Sequence, residues 1–232
     1  MTTPFHAGFL LFPQLTQLDL TGPYEVLVQV PGVTTHLIWK TLEPVRAGGG
    51  LTILPTTTFA DCPRLDLICV PGGSGVNALL TDPIVLGFLR KVAAEARYVT
   101  SVCTGALALG AAGLLRGRRA TTHWMSHEML RAFGAEPVEA RVVVDGNLIT
   151  GGGVTAGIDF GLTIAAMLAD RRVAEMIQLT LEYNPAPPFN AGSPKTASAD
   201  VLAGVKTLMA PWAERRHKAI AEAAARLAKE NA

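Results

Sequence analysis

The chain has 232 residues, 49% hydrophobic and 17% charged, which is enough apolar material for one sizeable α/β core and unlike the composition of a disordered chain. The formal net charge is +1 with the two signs interspersed, so no field of one sign exists to gather nucleic acid or an anionic membrane. Cys62, Cys69 and Cys103 are an odd set without CxxC spacing, which speaks against a disulfide framework or zinc knuckle and for a reducing compartment. The N-terminus lacks signal-peptide features and no apolar run reaches the roughly eighteen residues of a membrane span, so a soluble cytoplasmic protein is expected.

In chain order, residues 7–12 (AGFLLF) predict a buried strand that stops at Pro13. Gly22-Pro23-Tyr24 opens a helix through Val30, with proline near its first turn. His36–Lys40 is a second strand, and Gly48-Gly49-Gly50 lies between two β-like segments as a hairpin or sharp loop. Leu65–Val70 (LDLICV) is a strand running into Pro71-Gly72-Gly73-Ser74-Gly75. Pro83–Arg97 is a helix for which Thr81 or Asp82 supplies the cap. Tyr98–Val102 (YVTSV) is a strand ending directly at Cys103, and Thr104–Leu115 continues as a helix of small apolar residues that stops at Gly117. A helix over His123–Phe133, a hairpin or strand over Val142–Thr150 turning at Asp145-Gly146, and a helix over Thr155–Ala169 follow.

Strands alternating with helices imply a parallel sheet covered on both faces, a single-domain α/β sandwich of flavodoxin-like type. Ligands of such sheets collect beyond the carboxyl ends of the strands, where Cys103 and the glycine-rich segments 71–75 and 151–153 would meet. Past the proline-broken loop Tyr183–Asn190, residues 199–230 read as one helix. Its stripe Val201, Leu202, Val205, Leu208, Met209 and Trp212 would dock on the body or on a second subunit, and Pro211 would kink it. Residues 1–198 thus form the α/β unit and 199–232 a helical extension. The basic run Arg215-Arg216-His217-Lys218, flanked by Glu214 and Glu222, reads as a solvated helix face.

Cys103 carries the sharpest chemical signal. A strand that passes straight into a helix pushes the intervening side chain out at the sheet edge, as in a nucleophile elbow. The helix N-terminus there would favour a thiolate and developing anionic charge. A free cysteine buried as a small hydrophobe is the alternative.

The run Cys103-Thr104-Gly105-Ala106-Leu107, continued by Leu114-Leu115-Arg116-Gly117-Arg118-Arg119-Ala120-Thr121-Thr122-His123-Trp124, resembles the elbow region of the PfpI-like, glutamine-amidotransferase-like superfamily. Pro71-Gly72-Gly73 resembles its oxyanion-hole loop. Asp19-Leu20-Thr21-Gly22-Pro23 resembles the segment where members place a carboxylate against the cysteine. Within that superfamily the LLFPxxxxLDLTGP opening, SVCTG, ITGGGVTAGIDF and LEYNPAPPFNAGSP are similar to the isocyanide hydratases.

The resemblance implies a cysteine lyase that converts isocyanides to N-substituted formamides without metal or organic cofactor. It implies Cys103 as nucleophile, Asp19 as its acid partner, and backbone N–H donors from Gly73 and Thr104 near the reacting centre. It also implies a homodimer. The alternative for Asp19 is a helix cap, since it precedes a helix. His123 suits either Cys–His pairing or the start of a helix, and His123 with His127 lacks the HExxH order of a zinc site. Gly152 and its neighbours would let backbone lie close to the substrate's R group. Deglycase, glyoxalase and peptidase activities occur in the same superfamily. So do ligand-sensing domains of transcriptional regulators, whose appended helix-turn-helix has no counterpart in the single helix after residue 199. A non-catalytic sensor oxidised at Cys103 is a further alternative.

Overall fold

The apolar residues before Pro13 form an interior strand of the sheet, because both faces of that strand are covered by helices. In the computed structural model, which describes residues 4–230, this strand is β1 (Phe5–Leu10), buried from Ala7 onward. It leads to α1 (Gln17–Leu27) and β2 (Val33–Trp39). A small hairpin of β3 (Val45–Arg46) and β4 (Thr52–Ile53) turns through Gly48–Gly50 as the triple glycine predicted, and β5 (Thr57–Thr58) follows. The chain then returns through β6 (Leu67–Val70), α2 (Val76–Leu79), α3 (Pro83–Glu95) and β7 (Tyr98–Val102). Asp82 caps α3 by accepting from the N–H groups of Ile84 and Val85.

After β7 come α4 (Gly105–Ala111), β8 (Arg119–Ala120), a 3-10 segment over Trp124–Phe133, and β9 (Glu136–Pro137). The antiparallel pair β10 (Val142–Asp145) and β11 (Leu148–Gly151) closes the sheet, followed by α5 (Ala156–Leu168), α6 (Arg171–Thr180) and α7 (Ala199–Glu230). The large sheet has the order β10-β11-β7-β6-β1-β2-β5, parallel except for β10. The chain steps outward from β1 to β2 and then returns to β6 on the other side of β1. The connections that leave β1 and β6 therefore cross the sheet in opposite directions, which makes the switch point where α/β sheets bind ligands. Right-handed crossovers in the two directions put α1, with α5 and α6, on one face and α3 and α4 on the other.

Three elements differ from the sequence reading. Helix α1 begins at Gln17, five residues before Gly22, so Asp19 lies within its first turn and Pro23 within its interior. Proline is tolerated there because α1 packs closely on α5, where Gly157 and Gly161 leave room for Pro23 and Val26. Helix α6 had no counterpart in the reading. Its single buried stripe, Ala174 and Ile177, is too thin to announce itself.

Helix α7 runs through Pro211 as one element and docks mainly through the C-terminal half of the face that carries its apolar stripe. Ile220, Ala223 and Leu227 are buried, whereas Val201 (46%), Leu208 (68%) and Trp212 (37%) remain exposed. Side-chain ties reinforce this docking. Arg226 Nη2 donates to the Ala111 carbonyl at 2.9 Å, Arg90 Nε to Ala112 at 3.0 Å, and Arg90 pairs with Glu230 at 2.8 Å. The first two supply the carbonyls at the end of α4 that helical geometry leaves without partners. The proline-rich segment 183–190 has no regular structure and runs over the surface. Residues 1–3 and 231–232 of the two units drawn from the sequence lie outside the described residues. Among the described residues no helix is long and apolar enough to cross a membrane.

Candidate active site

Every residue of β7 is buried, and the strand passes directly into α4 through Cys103, whose φ is +56°. That left-handed conformation is strained for a side chain with a Cβ and persists only where the surroundings enforce it. Here the enforcement is visible. The Cys103 N–H points at the carbonyls of Gly151 and Gly152, both 3.0 Å away, and its own carbonyl accepts from Thr122 Oγ1 at 2.6 Å. Gly105 allows the turn to lie against β6, since a Cβ there would come within 2.0 Å of the Val70 carbonyl oxygen. This is the elbow the sequence predicted, with sulfur at its tip.

The acid comes from the first turn of α1, just after β1. Asp19 is fully buried, its Oδ2 accepts the Gly72 N–H at 3.1 Å, and its Oδ1 has no hydrogen-bond partner among the described residues. Gly72 ties the three strand ends together. A Cβ at that position would stand 2.6 Å from Thr104 N, 2.8 Å from Asp19 Oδ2 and 2.8 Å from Cys103 Cβ. Burial pushes the Asp19 carboxyl up from 3.8 to about 7, against the opposing pull of the Cys103 thiol and the Gly72 N–H. The thiol of Cys103 is in turn raised well above its ordinary value, first by burial and then by the charge of Asp19, while the Thr104 N–H and Arg216 act in the opposite sense. Acid and thiol form a coupled pair.

This corrects the expectation of an exposed thiolate. Cys103 is only 5% exposed, and α4 is a seven-residue helix buried throughout, so loss of hydration outweighs the favourable helix end. At rest the sulfur is a hidden thiol beside an acid that titrates near neutrality.

The other anticipated residues cluster here with altered contacts. Thr104 is buried and its N–H faces the Cys103 sulfur. Gly73, at φ +137°, does not direct its N–H to the reacting centre, because that group donates to Thr104 Oγ1 at 3.0 Å. His123 makes no hydrogen bond to Cys103. Its Nδ1 accepts the Met125 N–H at 3.3 Å, so it starts the 3-10 segment, and burial followed by Arg216 lowers its pKa. Gly152 holds the elbow through its carbonyl, while Gly153 is the glycine that lies against the His123 ring.

Sequence reasoning missed Thr122 and Arg216. Arg216 is 8% exposed despite its place in a basic run, with Nε donating to Asn77 Oδ1 and Nη1 to Ser126 Oγ, each at 3.2 Å. It borders a cleft of about 20 Å³ with His123, Met129, Met209 and Trp212. A larger hollow of about 530 Å³ lies beside Arg90, Arg116 and Phe133 and includes none of the residues around Cys103.

The sequence model of the DJ-1/PfpI family matches residues 6–167. The chain belongs to the DJ-1/PfpI family. Among its relatives in that family, isonitrile hydratase of Pseudomonas putida is 59% identical over 220 residues, 95% of this chain and 96% of that protein. The crystal structure of a THiJ/PfpI family protein from Pseudomonas syringae superposes with a TM-score of 0.91 at 46% identity, covering 94% of this chain and 90% of that one. The HTH-type transcriptional regulator GbdR of Pseudomonas aeruginosa is 31% identical over 188 residues, 78% of this chain but only 51% of the regulator. The α/β body through α5 is thus the DJ-1/PfpI portion, and α7 lies beyond the matched segment.

Proposed function

We propose that this chain hydrates isocyanides to N-substituted formamides, with Cys103 as nucleophile and Asp19 as proton carrier. The observation that carries the reading is a strained cysteine elbow packed against one buried carboxyl, in a chain closely similar over nearly its whole length to an isonitrile hydratase. An acid held near pH 7 suits this task, because it can both take and return a proton at neutral pH.

The steps balance with substrate and water alone. Ionised Asp19 takes the thiol proton as sulfur bonds to the terminal carbon of R–N≡C and passes that proton to the same carbon. The product is a covalent thioimidate, R–N=CH–S–Cys103. Asp19 then takes a proton from water as the oxygen bonds to this carbon, and it protonates the nitrogen. The tetrahedral adduct collapses, the C–S bond breaks, R–NH–CHO leaves, and the hydroxyl proton returns through Asp19 to sulfur. The Thr104 N–H beside the sulfur stabilises its negative charge during entry and departure.

Formamide production from aromatic and aliphatic isocyanides by wild type and Cys103→Ala tests the reading. The variant should lose about a thousandfold or more of kcat/KM. An active alanine variant refutes it, and higher kcat/KM for methylglyoxal or a peptide would move the substrate class instead. A redox-sensor reading gains nothing from a thiol that is hidden and raised in pKa.

Three further assignments belong with this proposal. Three free cysteines suit a reducing cytoplasm. Residues 199–232 act as an extension of the 1–198 unit. The exposed stripe of Val201, Val205, Leu208 and Trp212 suits burial in a homodimer, without nucleic acid as partner.

A further inference from the structure

Arg216 is out of place for a structural arginine. It is buried, yet among the described residues no carboxylate pairs with it, and its hydrogen bonds go only to the neutral Asn77 and Ser126. Its Nη2 makes no hydrogen bond among the described residues. A guanidinium withdrawn from water without a counter-ion destabilises the fold, and a neutral side chain of similar volume would avoid that cost. The two anchors are informative. Asn77 stands four residues after the Gly73 loop in α2, and Ser126 three residues after His123 in the 3-10 segment. Arg216 is therefore fixed between the two segments that frame Cys103, at the inner edge of the cleft lined by His123, Met129, Met209 and Trp212.

We propose that Arg216 is a positioning residue for Cys103: helix α7 brings to the site the positive charge that balances the sulfur anion while the carbon–sulfur bond forms and breaks. The proposal rests on the hydratase reading for the identity of that bond. The missing counter-ion of Arg216 is then the Cys103 thiolate itself, formed when the proton passes to Asp19 and formed again when the adduct expels sulfur. The charged groups whose fields reach Cys103 are Asp19 from α1 and Arg216 from α7, and His123 lines the same cleft as the guanidinium. Sulfur and guanidinium each stabilise the other's ionised form. Asp19 opposes the thiolate when ionised, so the guanidinium offsets the acid that the proton transfers require.

The test reads thiol reactivity and needs no isocyanide. The rate of Cys103 alkylation by iodoacetamide is followed from pH 6 to 10 by peptide mass spectrometry, in wild type, Arg216→Gln and Arg216→Lys, with melting curves as a check of folding. Arg216→Gln should slow alkylation about tenfold throughout this range, which lies below the raised midpoint of the thiol. Arg216→Lys should stay within about threefold of wild type because it keeps the charge. An unchanged profile in folded Arg216→Gln overturns the proposal. If Arg216→Gln does not fold, the double variant Asn77→Ala/Ser126→Ala releases the guanidinium while leaving it in the chain. Alkylation slowed by about threefold or more supports the positioning role, and an unchanged rate overturns it. Because alkylation is independent of turnover, an inert wild type on isocyanides would sink the hydratase reading and leave this result standing.

Discussion

Strands β6 and β7 lie side by side, in register from Leu67 opposite Tyr98 to Val70 opposite Ser101, and both end in a sharp turn. They solve the same steric problem with different residues. After β6 the left-handed residue is Gly73, which adopts φ +137° freely, and after β7 it is Cys103, which does not. The adjacent cysteines differ in the same way. Cys69, inside β6, is wholly buried, with its thiol pushed up to about 12, chiefly by burial and in lesser part by Asp19. Cys103 sits past the end of its strand, where the loops from β1 and β6 converge on it. Gln14 and Glu182 are also left-handed, but only at Cys103 does the strain coincide with a thiol packed against a buried acid.

Substitutions can break or sharpen this contrast. The largest effect is expected from Gly72→Ala, whose methyl would fall within 2.8 Å of Thr104 N, Asp19 Oδ2 and Cys103 Cβ at once, two of them backbone or Cβ positions that cannot swing away. Turnover should fall about a thousandfold in steady-state assays, and near-wild-type activity would mean that these strand ends are not the site.

Next is Asp19→Asn. The folded chain holds the Asp19 proton up to about pH 7 and the unfolded chain releases it near 3.8, so this group lowers stability as pH rises between those values. The difference corresponds to at most about 4 kcal/mol at pH 8. Wild type should therefore melt higher at pH 5 than at pH 8. Asp19→Asn should flatten that slope, melt several degrees above wild type at pH 8, and lose about a hundredfold in turnover. A variant less stable at pH 8 would contradict the buried-acid account.

The backbone strain itself is smaller. Cys103→Gly should be about 1 kcal/mol more stable than Cys103→Ala in chemical unfolding, because both lack sulfur and only glycine relaxes the left-handed turn. Smallest in activity is Cys69→Ala. It should cost about 1 kcal/mol through the lost buried sulfur while leaving turnover within about twofold of wild type.

Much of this was legible in the sequence because the signals are local. YVTSV followed immediately by Cys103 and a run of small helix formers leaves no room for anything but an elbow, and the strand that follows the observed bounds is Tyr98–Val102. Pro23 has the sequence signature of a helix start, whereas packing against α5 holds it inside a longer helix. The ionisation of Cys103 was misjudged because a helix end is visible in sequence and the depth of burial is not.

Arg216 was hidden by its neighbours, since RRHK reads as a solvated face. What buries the middle arginine is Asn77 and Ser126, 139 and 90 residues away. A local signal did exist. Arg216, Ile220, Ala223 and Leu227 fall at helical spacing on one face, and the three apolar members of that face are the ones that dock.

The cleft beside Arg216, at about 20 Å³, holds about one water molecule and no organic molecule. The resting shape is thus a closed door. Peroxide and other stray electrophiles meet a shielded sulfur, and a reactant reaches it only by displacing the side chains packed around it. The protein gains shelf life from that arrangement, and slow-onset kinetics with bulky covalent inhibitors are its natural signature.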